Sequence, residues 1–97
     1  MKPRKSKVLR SVLESKGFKL NPNKGDHHEF YYLVVDGVKT HIYTYLSHGS
    51  KEYGTSLMSK IKRSLCFPST NFAEDFFDCP MSGEEYVELL REIGEIE

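Results

Sequence analysis

The amino-acid sequence predicts an α+β fold built as one small domain, and three observations carry that reading. Two β-rich runs, residues 27–35 and 38–47, are joined by Asp36-Gly37. Apolar side chains at helical spacing flank them in residues 5–16 and 57–65. The chain has 97 residues, 38% of them hydrophobic, which suffices for one modest core and excludes a second full domain. The predicted order is α-β-β-β-α followed by a C-terminal helical extension. Three meandering antiparallel strands with helices on one face make a two-layer sandwich.

In residues 5–16, Val8, Leu9, Val12 and Leu13 form the stripe of an amphipathic helix, and Gly17 supplies its stop. Phe18-Lys19-Leu20 alternates weakly as a short strand, ended by Asn21-Pro22-Asn23 and a turn at Lys24-Gly25. Asp36-Gly37 suits a two-residue type I′ turn, whose positive φ angles both residues tolerate. With that turn Val35 pairs with Val38, and every opposed pair in the hairpin sums to 73 in residue number. One face then carries Glu29, Tyr31, Leu33 and Val35 opposite Thr44, Ile42, Thr40 and Val38, with His27 and His48 at its open end. The other carries His28, Phe30, Tyr32 and Val34 opposite Tyr45, Tyr43, His41 and Lys39. The more aliphatic first face is assigned to the core. The Tyr-rich second face suits cross-strand aromatic pairs, a stacking platform for single-stranded bases, or an aromatic patch against a partner.

Leu57, Met58, Ile61 and Leu65 predict a helix with its N-cap at Gly54-Thr55, ended by Pro68. Residues 71–78 read as one short helix carrying Phe72, Phe76 and Phe77. Ser82-Gly83-Glu84-Glu85 has the form of a capping box, and Tyr86, Val87, Leu89, Leu90 and Ile93 continue as a last amphipathic helix.

Fourteen basic and fourteen acidic residues cancel, but the sum hides a split. Residues 1–65 hold 13 Lys or Arg and 5 acids, a net of +8; residues 66–97 hold one Arg and 9 acids, a net of −8. The basic part can attract phosphate, and the acidic part can bind it intramolecularly, compete with nucleic acid or keep the protein soluble. The reading is a basic unit over 1–65 with an acidic helical extension over 66–97 packed on it. The longest apolar run has six residues, Phe30 to Val35, against about 20 for a membrane helix. The basic start Met1-Lys2-Pro3-Arg4-Lys5 has no apolar segment after it, so a cytoplasmic location is expected. Cys66 and Cys79 make no Cys-x-x-Cys pair and are expected to be unbonded.

The scarce reactive groups are His27, His28, His41 and His48. His27-His28 adjacency is poor chelate geometry, because neighbours on a strand point to opposite faces, and no metal is expected. No Gly-x-Ser-x-Gly elbow and no Gly-rich phosphate loop is present. Ribonuclease chemistry fits what remains: RNA carries its own nucleophile in the 2′-OH, so cations that hold phosphate and one histidine that moves a proton are enough.

The ordered set Lys16-Gly17-Phe18, then Lys24-Gly25-Asp26-His27, a hairpin, and Ser47-His48-Gly49 leading into residues 57–62 resembles the HicA family of type II toxin-antitoxin toxins over about residues 5 to 65. The resemblance implies a fold similar to double-stranded-RNA-binding domains, metal-independent cleavage of mRNA, and neutralisation by a HicB-type antitoxin. It places the family's catalytic histidine on His27, with His28 as the fallback if the match slips by one. His48 is read as a candidate catalytic partner, against the alternative of hydrogen bonding within its loop. Asp26 stands where the family has Ser. Lys24, Lys51, Lys60, Lys62 and Arg63 are the candidate phosphate contacts, although solvated helix faces explain the last three nearly as well. The rival readings are a non-catalytic RNA-binding or regulatory module with this fold and a protein that binds only its partner.

Overall fold

The computed structural model describes residues 1–21, 28–47, 51–78 and 80–97. Along the chain run β1 (Arg4–Lys5), α1 (Ser6–Ser15), β2 (Phe18–Asn21), β3 (His28–Val35), β4 (Val38–Ser47), β5 (Glu52–Tyr53), α2 (Thr55–Ser64), α3 (Thr70–Phe77) and α4 (Gly83–Glu92). The fold is α+β, as the sequence predicts. β2, β3 and β4 form an antiparallel three-stranded sheet with β3 in the centre. The sequence reading missed the two-residue ladder in which Arg4 pairs with Tyr53 and Lys5 with Glu52. So short a ladder carries no periodicity to detect.

Local chemistry explains the boundaries. Gly17 ends α1 at φ +100°, a conformation costly for any residue with a Cβ, and its carbonyl accepts the Val34 N–H at 3.0 Å. Asp36 and Gly37 both have positive φ, 52° and 78°, which is the type I′ turn. At α4 the Ser82 hydroxyl accepts the Glu85 N–H while the Glu85 carboxylate accepts the Ser82 N–H, so the capping box forms as expected.

One correction concerns the hairpin register. Val35↔Val38 and Val34↔Lys39 pair as expected, but from Tyr32↔Tyr43 to His28↔Ser47 the opposed numbers sum to 75. A bulge in β4 opposite Leu33 causes the shift. There the Thr40 hydroxyl donates to the Leu33 carbonyl at 2.9 Å and accepts the Ile42 N–H at 3.2 Å, replacing ladder bonds. The slip is by two, so parity and both face assignments survive. His41 is the exception. It lies within the bulge, not opposite Tyr32, and its Nε2 comes within 3.7 Å of the Glu95 carboxylate.

The inner face contributes Tyr31, Leu33, Ile42 and Leu46 to the core, each at most 2% exposed. Leu9 and Leu13 of α1, Met58 and Ile61 of α2, and Phe76, Phe77, Tyr86 and Leu90 from beyond residue 65 are buried in the same cluster. The acidic segment thus shares the core of the basic one. Fully burying one such side chain contributes about 1.5–3 kcal/mol, so this segment is part of the fold's energetics. Among the described residues no helix is long and apolar enough to cross a membrane.

Candidate nucleic-acid surface

β3 begins at His28 and β4 ends at Ser47, and these two residues form the last described rung of the hairpin. The residues next to them in the chain are His27 and His48. Both candidate histidines, and Lys24, lie outside the described residues. The Ser47 N–H donates to the hydroxyl of buried Tyr53, which ties this end of β4 to β5. On the adjoining edge of β3, Arg10 Nε donates to Glu29 at 2.6 Å; that hydrogen bond raises the guanidinium pKa above its ordinary value.

The outward face of the sheet follows from the register. Lys19, Tyr32 and Tyr43 form one row across the three strands, and Asn21, Phe30 and Tyr45 form the next. Outward ring centroids lie 5.4 Å apart for Tyr32–Tyr43, 5.5 Å for Phe30–Tyr45 and 4.7 Å for His28–Tyr45. Lys39 Nζ sits 3.9 Å from the Tyr32 ring centroid, a cation–π contact.

The predicted phosphate contacts do not form one cluster. Lys60 and Arg63 are exposed one turn apart on α2. Lys62 is drawn to Thr70, donating to its hydroxyl at 3.0 Å. Lys51 accepts the Ser6 N–H at its carbonyl, 2.9 Å, and lies with Lys5, Lys7 and Glu52 along a cleft of about 510 Å³ at the head of α1.

Sequence reasoning missed the cations that the fold uses internally. Arg4 is buried and pairs with Glu74 and, at 3.0 Å, with Asp78; Lys2 reaches Asp78 at 3.3 Å. The Arg4 hydrogen bond holds Glu74 below the ordinary carboxylate range. Burial opposes the same shift at Asp78, but hydrogen bonds from Arg4 and Lys2 outweigh it. Lys16, also buried, donates to the carbonyls of Phe76 and Met81. A basic residue facing a later acidic helix was the available signal, and the spacing did not say which one.

A groove of about 860 Å³ between the end of α1 and the start of α4 is lined by the acids Asp36, Glu84, Glu85 and Glu88 against the bases Lys16 and Arg91, a net negative charge and the wrong sign for phosphate. Cys66 carries a free thiol, which burial and the nearby Glu95 carboxylate push up to about 11; Cys79 lies outside the described residues. Among the described residues no three His, Cys, Asp or Glu side chains gather as a metal site. Comparison of the chain with protein-family models, with curated proteins and with solved structures found no match.

Proposed function

We propose that this protein is a toxin-type endoribonuclease that cleaves mRNA in the cytoplasm without a metal and is neutralised by a HicB-type antitoxin protein, as the resemblance implies. The reaction needs two proton transfers. His27 takes the proton from the 2′-OH as that oxygen attacks the adjacent phosphorus, or gives one to the departing 5′-oxygen; the products are a 2′,3′-cyclic phosphate and a 5′-hydroxyl. His48 is the partner for the other transfer. Lys24, Lys51, Lys60 and Arg63 supply phosphate attraction, and Lys62 does so by leaving Thr70.

The observation that supports this reading most is the rung His28↔Ser47. His27 precedes and His48 follows the two residues of this rung in the sequence, so the candidate histidines are the chain neighbours of one described pair. The test is cleavage of RNA by purified protein. His27→Ala is expected to abolish cleavage while leaving RNA affinity within a few-fold, because acid–base catalysis contributes about 10²- to 10⁴-fold and neutral imidazole adds little phosphate affinity. His28→Ala is expected to do much less, and EDTA nothing. The rate should show a pH limb near the ordinary imidazole value of about 6.5. The outward aromatic face favours a second reading, an RNA-binding module, since it needs no histidine to function. Wild-type protein that binds RNA yet leaves it intact from pH 5 to 9 would select that second reading.

A further inference from the structure

Exposed aromatic rings in a group need a physical reason. Tyr43 and Tyr45 are 43% and 49% exposed, while the core rings of Phe18, Tyr31, Phe76, Phe77 and Tyr86 are at most 2% exposed. A soluble domain that leaves neighbouring rings uncovered presents a binding surface or risks aggregation.

Their geometry is regular. Along Tyr32, Tyr43, Phe30 and Tyr45 each ring lies within 40° of its neighbour's plane, at 29°, 34° and 40°, with centroids 5.4 to 6.1 Å apart. The core mixes edge-on contacts, 81° for Phe18–Phe76 and 86° for Phe76–Phe77, with a tilt of 31° for Phe18–Tyr86, so what sets the outward series apart is its exposure. Rings in continuous contact on a pleated surface form a series that flat heterocycles can extend.

The charge decides what the face fits. At the outward positions of the described strands stand Lys19, Asn21, His28, Val34, Lys39, Ser47 and the aromatic residues, and none of these positions holds Asp or Glu. Bases stack on rings while their phosphates meet ammonium groups, which is the combination single-stranded nucleic acid offers. A duplex hides its base faces, so the pairing is with unpaired RNA. A hydrophobic protein surface would cover the rings but bury two lysines without carboxylates.

From these observations we infer that the outward face of β2, β3 and β4 is a stacking platform for about two or three unpaired bases of single-stranded RNA. Tyr43 and Tyr45 carry the bases, and Lys19 and Lys39 the phosphates. The inference rests on the proposed RNA-cleaving function and names the form of substrate that function takes.

The experiment uses the full chain and a fluorescein-labelled oligouridine of about 12 nucleotides whose 2′-oxygens are methylated, so that binding is read without cleavage. Tyr43→Ala and Tyr45→Ala should each weaken binding by about 5- to 150-fold, while Tyr45→Phe should bind like wild type. The chain has no Trp, so its emission comes from tyrosine, and oligouridine should quench it in the wild-type protein. That measurement stands even if an alanine variant fails to fold. Folded alanine variants with wild-type affinity, or binding without quenching, overturn the inference. So does a face whose variants lose only a protein partner. Cleavage of unmodified RNA is scored separately. His27-dependent cleavage that persists with undisturbed binding in the tyrosine variants removes the platform and leaves the proposed function. Tyrosine-dependent binding with no cleavage does the reverse.

Discussion

Burying a lysine ammonium costs several kcal/mol unless its donors find acceptors. Lys16 meets that condition at 8% exposure by donating to the Phe76 carbonyl and to the Met81 carbonyl, 2.6 Å, with its charge 4.7 Å from the Phe76 ring centroid. One side chain therefore joins the end of α1 to the end of α3. Lys16→Met keeps the aliphatic stem and leaves both carbonyls without this donor, so urea denaturation should show a loss of about 2–4 kcal/mol. A loss below about 0.5 kcal/mol would mean that water takes over the carbonyls. Arg4 plays the corresponding part at the N-terminus, and its partner Glu74 makes the contact pH-dependent. A carboxylate whose pKa is lowered by folding contributes stability above its unfolded value, ordinarily 4.5, and loses it as pH falls through the lower folded value. Glu74→Gln should therefore melt below wild type at pH 7, with the two melting temperatures converging below about pH 4. A gap that persists at pH 3 would assign the effect to packing.

At the level of elements, two helices end in the same way with different residues. After α4, Gly94 at φ +82° donates to the Arg91 carbonyl and Glu95 to the Leu90 carbonyl; after α2, Cys66 at φ +64° donates to the Arg63 carbonyl and Phe67 to the Lys62 carbonyl. Both are Schellman endings, and a non-glycine residue there costs about 1–2 kcal/mol. Cys66→Gly should relieve that strain and lose some partial burial, giving a net gain of about 0.5–1 kcal/mol by urea denaturation. No gain would mean that Cys66 packing matches its strain. This ending was not legible in the sequence, because the residue that announces it elsewhere is absent. The Asp36-Gly37 turn and the Ser82–Glu85 box were legible, since each rests on two adjacent or fixed-offset residues. The bulge at Thr40 was not, because a hydroxyl that satisfies Leu33 and Ile42 looks in sequence like any outward β-branched residue. The aromatic face was legible because a slip of two preserves parity. Of the candidate site, the separation of Lys62 from Lys60 and Arg63 depended on Thr70, beyond the end of α2 and invisible to helical spacing.

At the scale of the molecule, the opposite charges of the two segments meet in specific contacts, Lys2 and Arg4 with Glu74 and Asp78, while Arg91 within 3.9 Å of Asp36 pairs the one base of the acidic segment with an acid of the basic one. Because Phe76, Tyr86 and Leu90 complete the core, a chain ending at Leu65 should lose its cooperative melt, so truncation cannot isolate the electrostatic effect. Exposed charge can be changed without touching that core. Glu84, Glu88 and Glu92 lie exposed at successive turns of α4, and changing all three to Gln shifts the net charge by +3. The molecule measures 34 × 30 × 19 Å. At about 0.01 M salt the screening length of about 30 Å spans it, so these carboxylates repel RNA bound anywhere on the surface. At about 0.1 M the screening length is about 10 Å, less than the shortest dimension, and the repulsion fades. The triple variant should therefore bind single-stranded RNA more tightly than wild type at low salt and equally at about 0.3 M. The wild-type log–log salt slope should be roughly −2 to −3.5, as about three to five phosphate contacts require. Equal affinities at 0.01 M would show that the acidic segment does not screen the RNA surface, and a slope near zero would remove RNA from the partners of this protein.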